Sequence, residues 1–313
     1  MKPSIINDEL FKHAFISALI IGTLCRFLVL RVIDKQYPTR PLDYIEQIIM
    51  AGLSASLGAI AFPALIDKEF SALTFFAVGI QQFQGLSQQE GITLDNLDND
   101  EVVPKGESYV QEIAATYESR SYISLFSALA ASVGYIYFAR RYNLGVLWCN
   151  VIAIISGGIV GLIFRYSLRR KSIGDLADVV PANLEFKDTI LEVNGVIINN
   201  IGLKSTRDRY MKKGMAVEVI PKNMASFGVI NDLGQRQAIL HNIFIHMGID
   251  KDIDEVDILA ITKTDLERKS VVIPITPILQ DMDELIRVIK STPVIETAKN
   301  KQSAYKKKPL FFK

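Results

Sequence analysis

The chain has 313 residues, with 35 basic against 34 acidic side chains and a formal charge of +1. A charge so near zero offers no electrostatic footprint for nucleic acid, and none is expected as a partner. Apolar residues make up 49% and charged ones 22%, an ordinary average that hides two unlike halves. In residues 1–171 the apolar side chains gather into four long runs, which excludes disorder and a simple water-soluble enzyme. Residues 172–313 carry 20 basic and 19 acidic residues at ordinary globular density. The expected architecture is an α-helical transmembrane domain of four or five spans over 1–171, containing an acidic segment at 84–120. A soluble α+β domain follows at 172–298, and a polybasic tail at 299–313.

The first run, Ala14–Ile33, is long enough to cross a bilayer core. Asp8 and Glu9 precede it, Arg26 interrupts it and no small-x-small cleavage site follows, so it reads as a span rather than a signal peptide. The second run, Tyr44–Ile66, is rich in small residues (Ala51, Gly52, Ser54, Ala55, Ser56, Gly58, Ala59, Ala61) that let helices approach closely. Pro63 is expected to kink or end it. Between Glu69 and Gln81 the apolar stretch Phe70–Ile80 is short for a span. The third run, Ser121–Phe138, ends in Tyr135, Tyr137 and then Arg140-Arg141. The fourth, Leu144–Phe164, ends in Arg165, Tyr166, Arg169, Arg170 and Lys171. Aromatics followed by cations mark membrane boundaries, and the last cluster places the C-terminal domain on the cytoplasmic side of the cell membrane. Loop 34–43, with Lys35 and Arg40, lies on that side if there are five spans and opposite it if there are four. The charge rule leans to five.

Arg26 and Glu46 are the ionisable residues inside the runs. A charge at that depth costs roughly 2.5–3.5 kcal/mol on insertion scales, so each calls for a partner. The loop between the two helices is short, making them antiparallel neighbours, and an Arg26–Glu46 pair is expected. Cys25 and Cys149 both fall inside apolar runs and read as small apolar fillers.

Segment 84–120 sets eight acidic residues against Lys105 and Arg120, with Leu94, Leu97, Val102 and Val103 interleaved. The run Asp95–Glu101 invites comparison with a calcium loop, but it lacks glycine at the sixth position and glutamate at the twelfth. No metal and no cofactor are expected, and the segment reads as a solvated linker or a docking surface for a protein partner. From Ser108 onward Tyr109, Ile113, Ala114 and Tyr117 recur at helical spacing into the third span.

The hexamer Tyr109-Val110-Gln111-Glu112-Ile113-Ala114 resembles the signature that names the YIEGIA family: Tyr109, Ile113 and Ala114 match, whereas Gln111 and Glu112 depart. Val102-Val103-Pro104-x-Gly106, Asp178-Val179-Val180-Pro181 and Leu233–Ala238 extend the resemblance over most of residues 44–297. It implies a multipass membrane protein of endospore-forming bacteria that is associated with sporulation and works with a small capping-type subunit. A regulatory proteolytic role is also attached to such proteins.

After Lys171 short β-like runs take over at Ala177–Pro181, Thr189–Val193 and Val196–Ile198, with the hairpin signal Asn194-Gly195 between the last two. Leu203–Lys213 reads as a helix, Met215–Ile220 and Ser226–Ile230 as strands, and Leu233–Met247 as a helix. Val256–Ile261 and Val271–Ile275 read as strands, and Asp281–Lys290 as an amphipathic helix. Strand pairs followed by helices favour an α+β sandwich over a parallel sheet. Gln235, Arg236 and Gln237 open a helix whose free N–H groups suit an anion or an acidic partner. With Tyr109 on the docking segment they are the expected binding residues. His241 and His246 are five apart and read as surface or partner-contacting residues; Asp250, Asp252, Asp254, Glu255 and Asp257 read as a solvated acidic patch.

No Gly-x-Ser-x-Gly, His-Glu-x-x-His or Walker pattern occurs. Two functions remain. One is a regulatory platform presenting its cytoplasmic domain to a small protein partner. The other is a membrane-associated regulatory protease, whose catalytic candidates are Glu46, Glu112 and Ser54. Besides the bilayer itself, anionic lipid is an expected partner of the tail, through Lys299, Lys301, Lys306, Lys307, Lys308 and Lys313.

Overall fold

A computed structural model describes residues 9–33, 41–67, 70–98, 101–168, 170–251, 255, 258 and 260–300. Two compact units emerge, Met1–Ile92 with Ile113–Arg169, and Thr93–Glu112 with Arg170–Lys313. The acidic segment expected within the membrane half is therefore divided between them.

The first unit is built from α1 (Glu9–Ile33), α2 (Pro41–Asp67), α3 (Phe70–Asp98), α4 (Glu107–Tyr142) and α5 (Val146–Ser167). Among the described residues, four helices are long and apolar enough to cross a membrane, within α1, α2, α4 and α5. This composition suggests a membrane protein. The exception is α3. It runs 29 residues, but beyond Ile80 its sequence turns polar with Gln81, Gln82, Gln84, Gln88, Gln89 and Glu90, and it is not among the four. Most of loop 34–43, on which the count of five leaned, lies outside the described residues. Pro63 does not end α2, which continues to Asp67.

Small residues set the packing of this unit. Ala14, Ala18, Ala51, Ala55, Ala59, Ala128, Ala131 and Ala153 are all completely buried. A side chain at Gly58 would put its Cβ 2.0 Å from the Leu125 carbonyl oxygen, and one at Gly157 would meet Ser127 O at 2.9 Å. Backbones this close gain dispersion contacts that larger residues would forbid. Ser132 Oγ adds a hydrogen bond to Ala59 O at 3.0 Å. Cys25 and Cys149 are buried free thiols within the same packing. The outward face of α5 is apolar, with Ile155, Ile159, Leu162 and Ile163 all more than half exposed.

The second unit begins with the single turn α6 (Ile173–Leu176), followed by β1 (Ala177–Pro181), β2 (Leu184–Lys187), β3 (Ile190–Val193) and β4 (Val196–Asn200). Then come α7 (Lys204–Lys213), β5 (Met215–Pro221), α8 (Met224–Ile230), α9 (Leu233–Met247), β6 (Lys263–Asp265), β7 (Ser270–Ile275), α10 (Met282–Ser291) and α11 (Glu296–Asn300). The strands form an antiparallel sheet in the order β1-β5-β7-β6 and a smaller antiparallel one in the order β2-β3-β4. Every residue of β7 is buried. Its valines and isoleucines share a core with Val217 and Val219 of β5, Ile239 and Ile243 of α9, and Leu285 and Ile289 of α10.

Asn194 and Gly195 both take positive φ (48° and 80°), the twist a two-residue hairpin needs. The Asn194 amide also donates to the buried carboxylate of Glu218 at 2.7 Å, linking the small sheet to β5 of the large one.

Segment 226–230, expected as a strand, is the helix α8. Asn223 caps it by accepting the N–H of Ser226 at 2.8 Å, and all five residues are buried. A helix buried on every side shows no polar face, and such a short apolar run looks alike in either conformation. The polar-looking strands β2 and β6 escape a pattern search for the opposite reason. Of the strand expected over 256–261, residues 256, 257 and 259 lie outside the described residues, while 258, 260 and 261 are not in a strand.

Gly58→Val should overpack the contact with α4 and cost about 1–3 kcal/mol. A fall of several degrees in the unfolding midpoint of the full chain in detergent would record it, with Gly158→Val, which meets nothing within 4 Å, unchanged.

Candidate functional site

Of the residues expected to bind a partner, Tyr109 and Gln237 meet where Thr93–Glu112 folds against α9 inside the second unit. The turn that ends α3 is organised by Asp98, whose carboxylate accepts the backbone N–H of Lys105 and, at 2.8 Å, that of Gly106. Gly106 has φ +83°, and a Cβ there would sit 3.0 Å from Gln237 Cγ, so both backbone and neighbour demand glycine. The Lys105 ammonium is buried between Glu101 and Asp98, 3.7 Å from the latter. Val103, 1% exposed, joins the core and aligns its carbonyl with α9.

His241 of α9 receives this loop. Its Nδ1 lies 2.8 Å from Val103 O and 3.3 Å from Glu101 Oε2. Both neighbours are acceptors, which assigns the proton to Nδ1. Tyr109 packs edge-on against the ring, and Gln237 Nε2 donates to Pro104 O at 2.5 Å. Burial pushes the imidazole below its ordinary 6.5. The Val103 carbonyl opposes that shift, Lys105 adds to it, and Glu101 and Asp98 pull the other way. His241 is thus an internal, neutral group and not the surface residue its spacing suggested.

Glu112 ties the end of the segment to the rest of the unit. It forms an ion pair with Arg170 at 2.9 Å and accepts the backbone N–H of Glu296 at 3.2 Å, at the start of α11. It is held by a cation and a helix N-terminus, which leaves no free base.

The other expected binding residues are also engaged. Gln235 is fully buried and works as a clamp, donating to Pro293 O at 3.0 Å and accepting from Ile295 N at 2.8 Å. Asp232 caps α9 through Gln235 N at 3.1 Å, so the helix start already holds a carboxylate where an outside anion was expected. Arg236 Nη1 donates to Thr264 Oγ1 at 3.2 Å, and that hydroxyl donates to Asn231 Oδ1 at 2.7 Å. Arg236 Nε is buried without a hydrogen-bond partner among the described residues, and burial lowers the guanidinium from its ordinary value.

The catalytic candidates are each placed within their own unit. Ser54 is buried with its hydroxyl turned back onto Met50 O at 2.8 Å, Glu46 is exposed on α2, and Glu112 belongs to the second unit. The expected Arg26–Glu46 pair is replaced by a contact one residue along, where Arg26 Nη2 donates to Gln47 Oε1 at 2.7 Å. That position faces α1 because helix rotation, not sequence distance, decides which side chain points inward. Of the acidic patch, Asp250 pairs with Lys213 at 2.8 Å and Glu255 with Arg209 at 2.7 Å; Asp252, Asp254 and Asp257 lie outside the described residues. The Lys-rich tail from 301 onward also lies outside them. Among the described residues no three His, Cys, Asp or Glu side chains gather as a metal site.

Fold and site together define a bundle of membrane-type helices joined to an antiparallel α+β unit that incorporates the loop between two of those helices. The chain belongs to the YIEGIA family, whose model, described as "YIEGIA protein", matches residues 14–305. It is similar to the uncharacterized protein YphB of Bacillus subtilis (strain 168), 31% identical over 286 residues that cover 91% of this chain and 93% of that one. No solved structure matches.

The folded protein holds His241 neutral, whereas the unfolded chain protonates it near 6.5. Its contribution to stability is therefore complete above that pH and is lost as pH falls below it, toward the lower folded-state value. The unfolding midpoint of the full chain should drop between pH 7.5 and 5, with a shallower slope in His241→Asn. Glu112→Ala leaves Arg170 without its counter-charge and should cost about 3 kcal/mol, read in the same unfolding assay.

Proposed function

We propose that the protein is a sporulation-associated integral membrane protein of the cell membrane that acts as a regulatory platform. It presents its C-terminal unit, on the cytoplasmic side, to a small protein subunit of the capping type. One observation carries this reading. Leu233 on α9 and Leu266 after β6 are 74% and 73% exposed, on elements joined by the Arg236–Thr264 hydrogen bond. Large apolar side chains this exposed, on elements that an arginine ties together, suit a protein-binding surface. Family membership supports the sporulation setting and the small subunit. Arg165, Arg170 and Lys171 after α5 support the cytoplasmic side. The tail from Lys299, with its lysines and closing aromatics, suits the anionic leaflet beneath which such a unit would lie. The proteolytic reading is the weaker one, because the Ser54 hydroxyl is bonded back to Met50 O and Glu112 is held by Arg170.

The two readings separate in membranes from sporulating cells. Leu233→Asp and Arg236→Ala should each reduce recovery of the co-purifying small subunit at least about tenfold, as loss of a hot-spot residue does. Glu46→Ala and Ser54→Ala should leave both that recovery and protein turnover unchanged. Turnover abolished by either of the latter, with the subunit still bound, would favour the protease.

A further inference from the structure

Within the first unit, α1, α2, α3 and α4 surround a cavity of about 60 Å³ whose polar lining is Arg26, Glu46, Gln47, Glu90, Tyr117 and Ser121. Arg26 is 2% exposed. Its guanidinium donates from Nη2 and Nε to Gln47 Oε1, at 2.7 and 3.3 Å, and from Nη1 to Ser121 Oγ at 3.4 Å. These acceptors are neutral. Among the described residues Arg26 makes no ion pair, and neither do Glu46 and Glu90. A guanidinium has five N–H groups, so donors remain after these three bonds. A cation this deep in a bundle of membrane-type helices is costly without a counter-charge.

The depth of the cavity says where a counter-charge would come from. Arg26 lies seven residues before the C-terminal end of α1 at Ile33, and Glu46 is the sixth residue of α2. Ser121 opens the apolar part of α4. Glu46 and Ser121 lie at the ends of apolar stretches, and the long Arg26 side chain carries its guanidinium to Gln47 and Ser121 at that end, toward the level of phospholipid headgroups. The charge arrangement says what kind of headgroup fits: a buried cation inside, and two carboxylates in the same lining, one of them exposed. An anionic group alone would meet Arg26 but be repelled by Glu46 and Glu90, whereas a zwitterion satisfies both ends.

We propose that this cavity binds the phosphoethanolamine headgroup of a phospholipid, with the phosphate on Arg26 and the ammonium on Glu46 and Glu90. Size agrees. At roughly 10–15 Å³ per water-sized centre, 60 Å³ holds about four to six centres, close to the five heavy atoms of a phosphate group. The ammonium then sits at the mouth, where it donates to the carboxylates. A choline headgroup has no N–H to donate there, and a glycerol headgroup has no cation.

The test uses the full chain, purified in detergent and offered equal amounts of phosphatidylethanolamine, phosphatidylcholine and phosphatidylglycerol, with retained lipid read by native mass spectrometry. Phosphatidylethanolamine should be retained about tenfold over the other two, the scale of one charge-assisted hydrogen bond. Glu46→Gln/Glu90→Gln, which alters only side chains outside the packed core, should turn the preference toward phosphatidylglycerol. Arg26→Met should lose retention of both, with unchanged circular dichroism as its folding control. Equal retention of the three lipids by the unsubstituted chain would overturn the proposal. So would an unchanged preference in the double variant, whatever the fate of Arg26→Met. Soluble phosphoethanolamine bound in preference to the lipid would overturn the lipid as its source.

Discussion

The second unit depends on a short polypeptide brought in from outside its contiguous sequence. Thr93–Glu112 comes from between two long helices, yet Val103 enters the core that Arg170–Lys313 builds. Inserting an acidic loop into a core puts carboxylates where water is scarce, and such groups are tolerated only when each is met by a donor or a cation. Asp98 meets backbone N–H groups, Glu101 meets Lys105 and the imidazole N–H, and Glu112 meets Arg170. The loop is thereby held as one piece of the unit.

The first unit solves a different problem. Between apolar helices in lipid there is little hydrophobic driving force, so close approach has to supply the attraction. The alanines and glycines of α1, α2, α4 and α5 allow it, and the polar exceptions such as Ser54 and Ser132 bond to backbone carbonyls. Arg26 and Arg120, each 2% exposed, depart from this economy, and Arg26 is held by neutral groups in a lining that also contains carboxylates. Departures of that kind are where ligands are to be sought in membrane proteins.

Part of the candidate site was legible in advance. Tyr109 and Gln237 lie where the loop meets α9, whereas Gln235 bonds to Pro293 and Ile295 and Arg236 to Thr264. Their roles were not legible. A glutamine at a helix start looks the same whether it faces an anion or clamps Pro293 and Ile295. His241 and Glu101 are 140 positions apart in sequence. The one forward signal was Val102 and Val103 among acids, an apolar pair too hydrophobic for a solvated linker.

Sequence by itself determined what depends on local pattern: the four long apolar runs, the positions of β1, β3, β5 and β7, the Asn194-Gly195 turn, and helices α7, α9 and α10. These rest on periodicity and turn chemistry, which neighbouring residues carry between them. The tertiary structure alone decided that α3 is one long helix with a polar second half, that segment 226–230 is a buried helix, that Gln47 and not Glu46 meets Arg26, and that the acidic loop belongs with the C-terminal residues. Each of those outcomes turns on which distant surface excludes water from a given side chain, and burial of that kind is a property of the assembled chain that no local window contains.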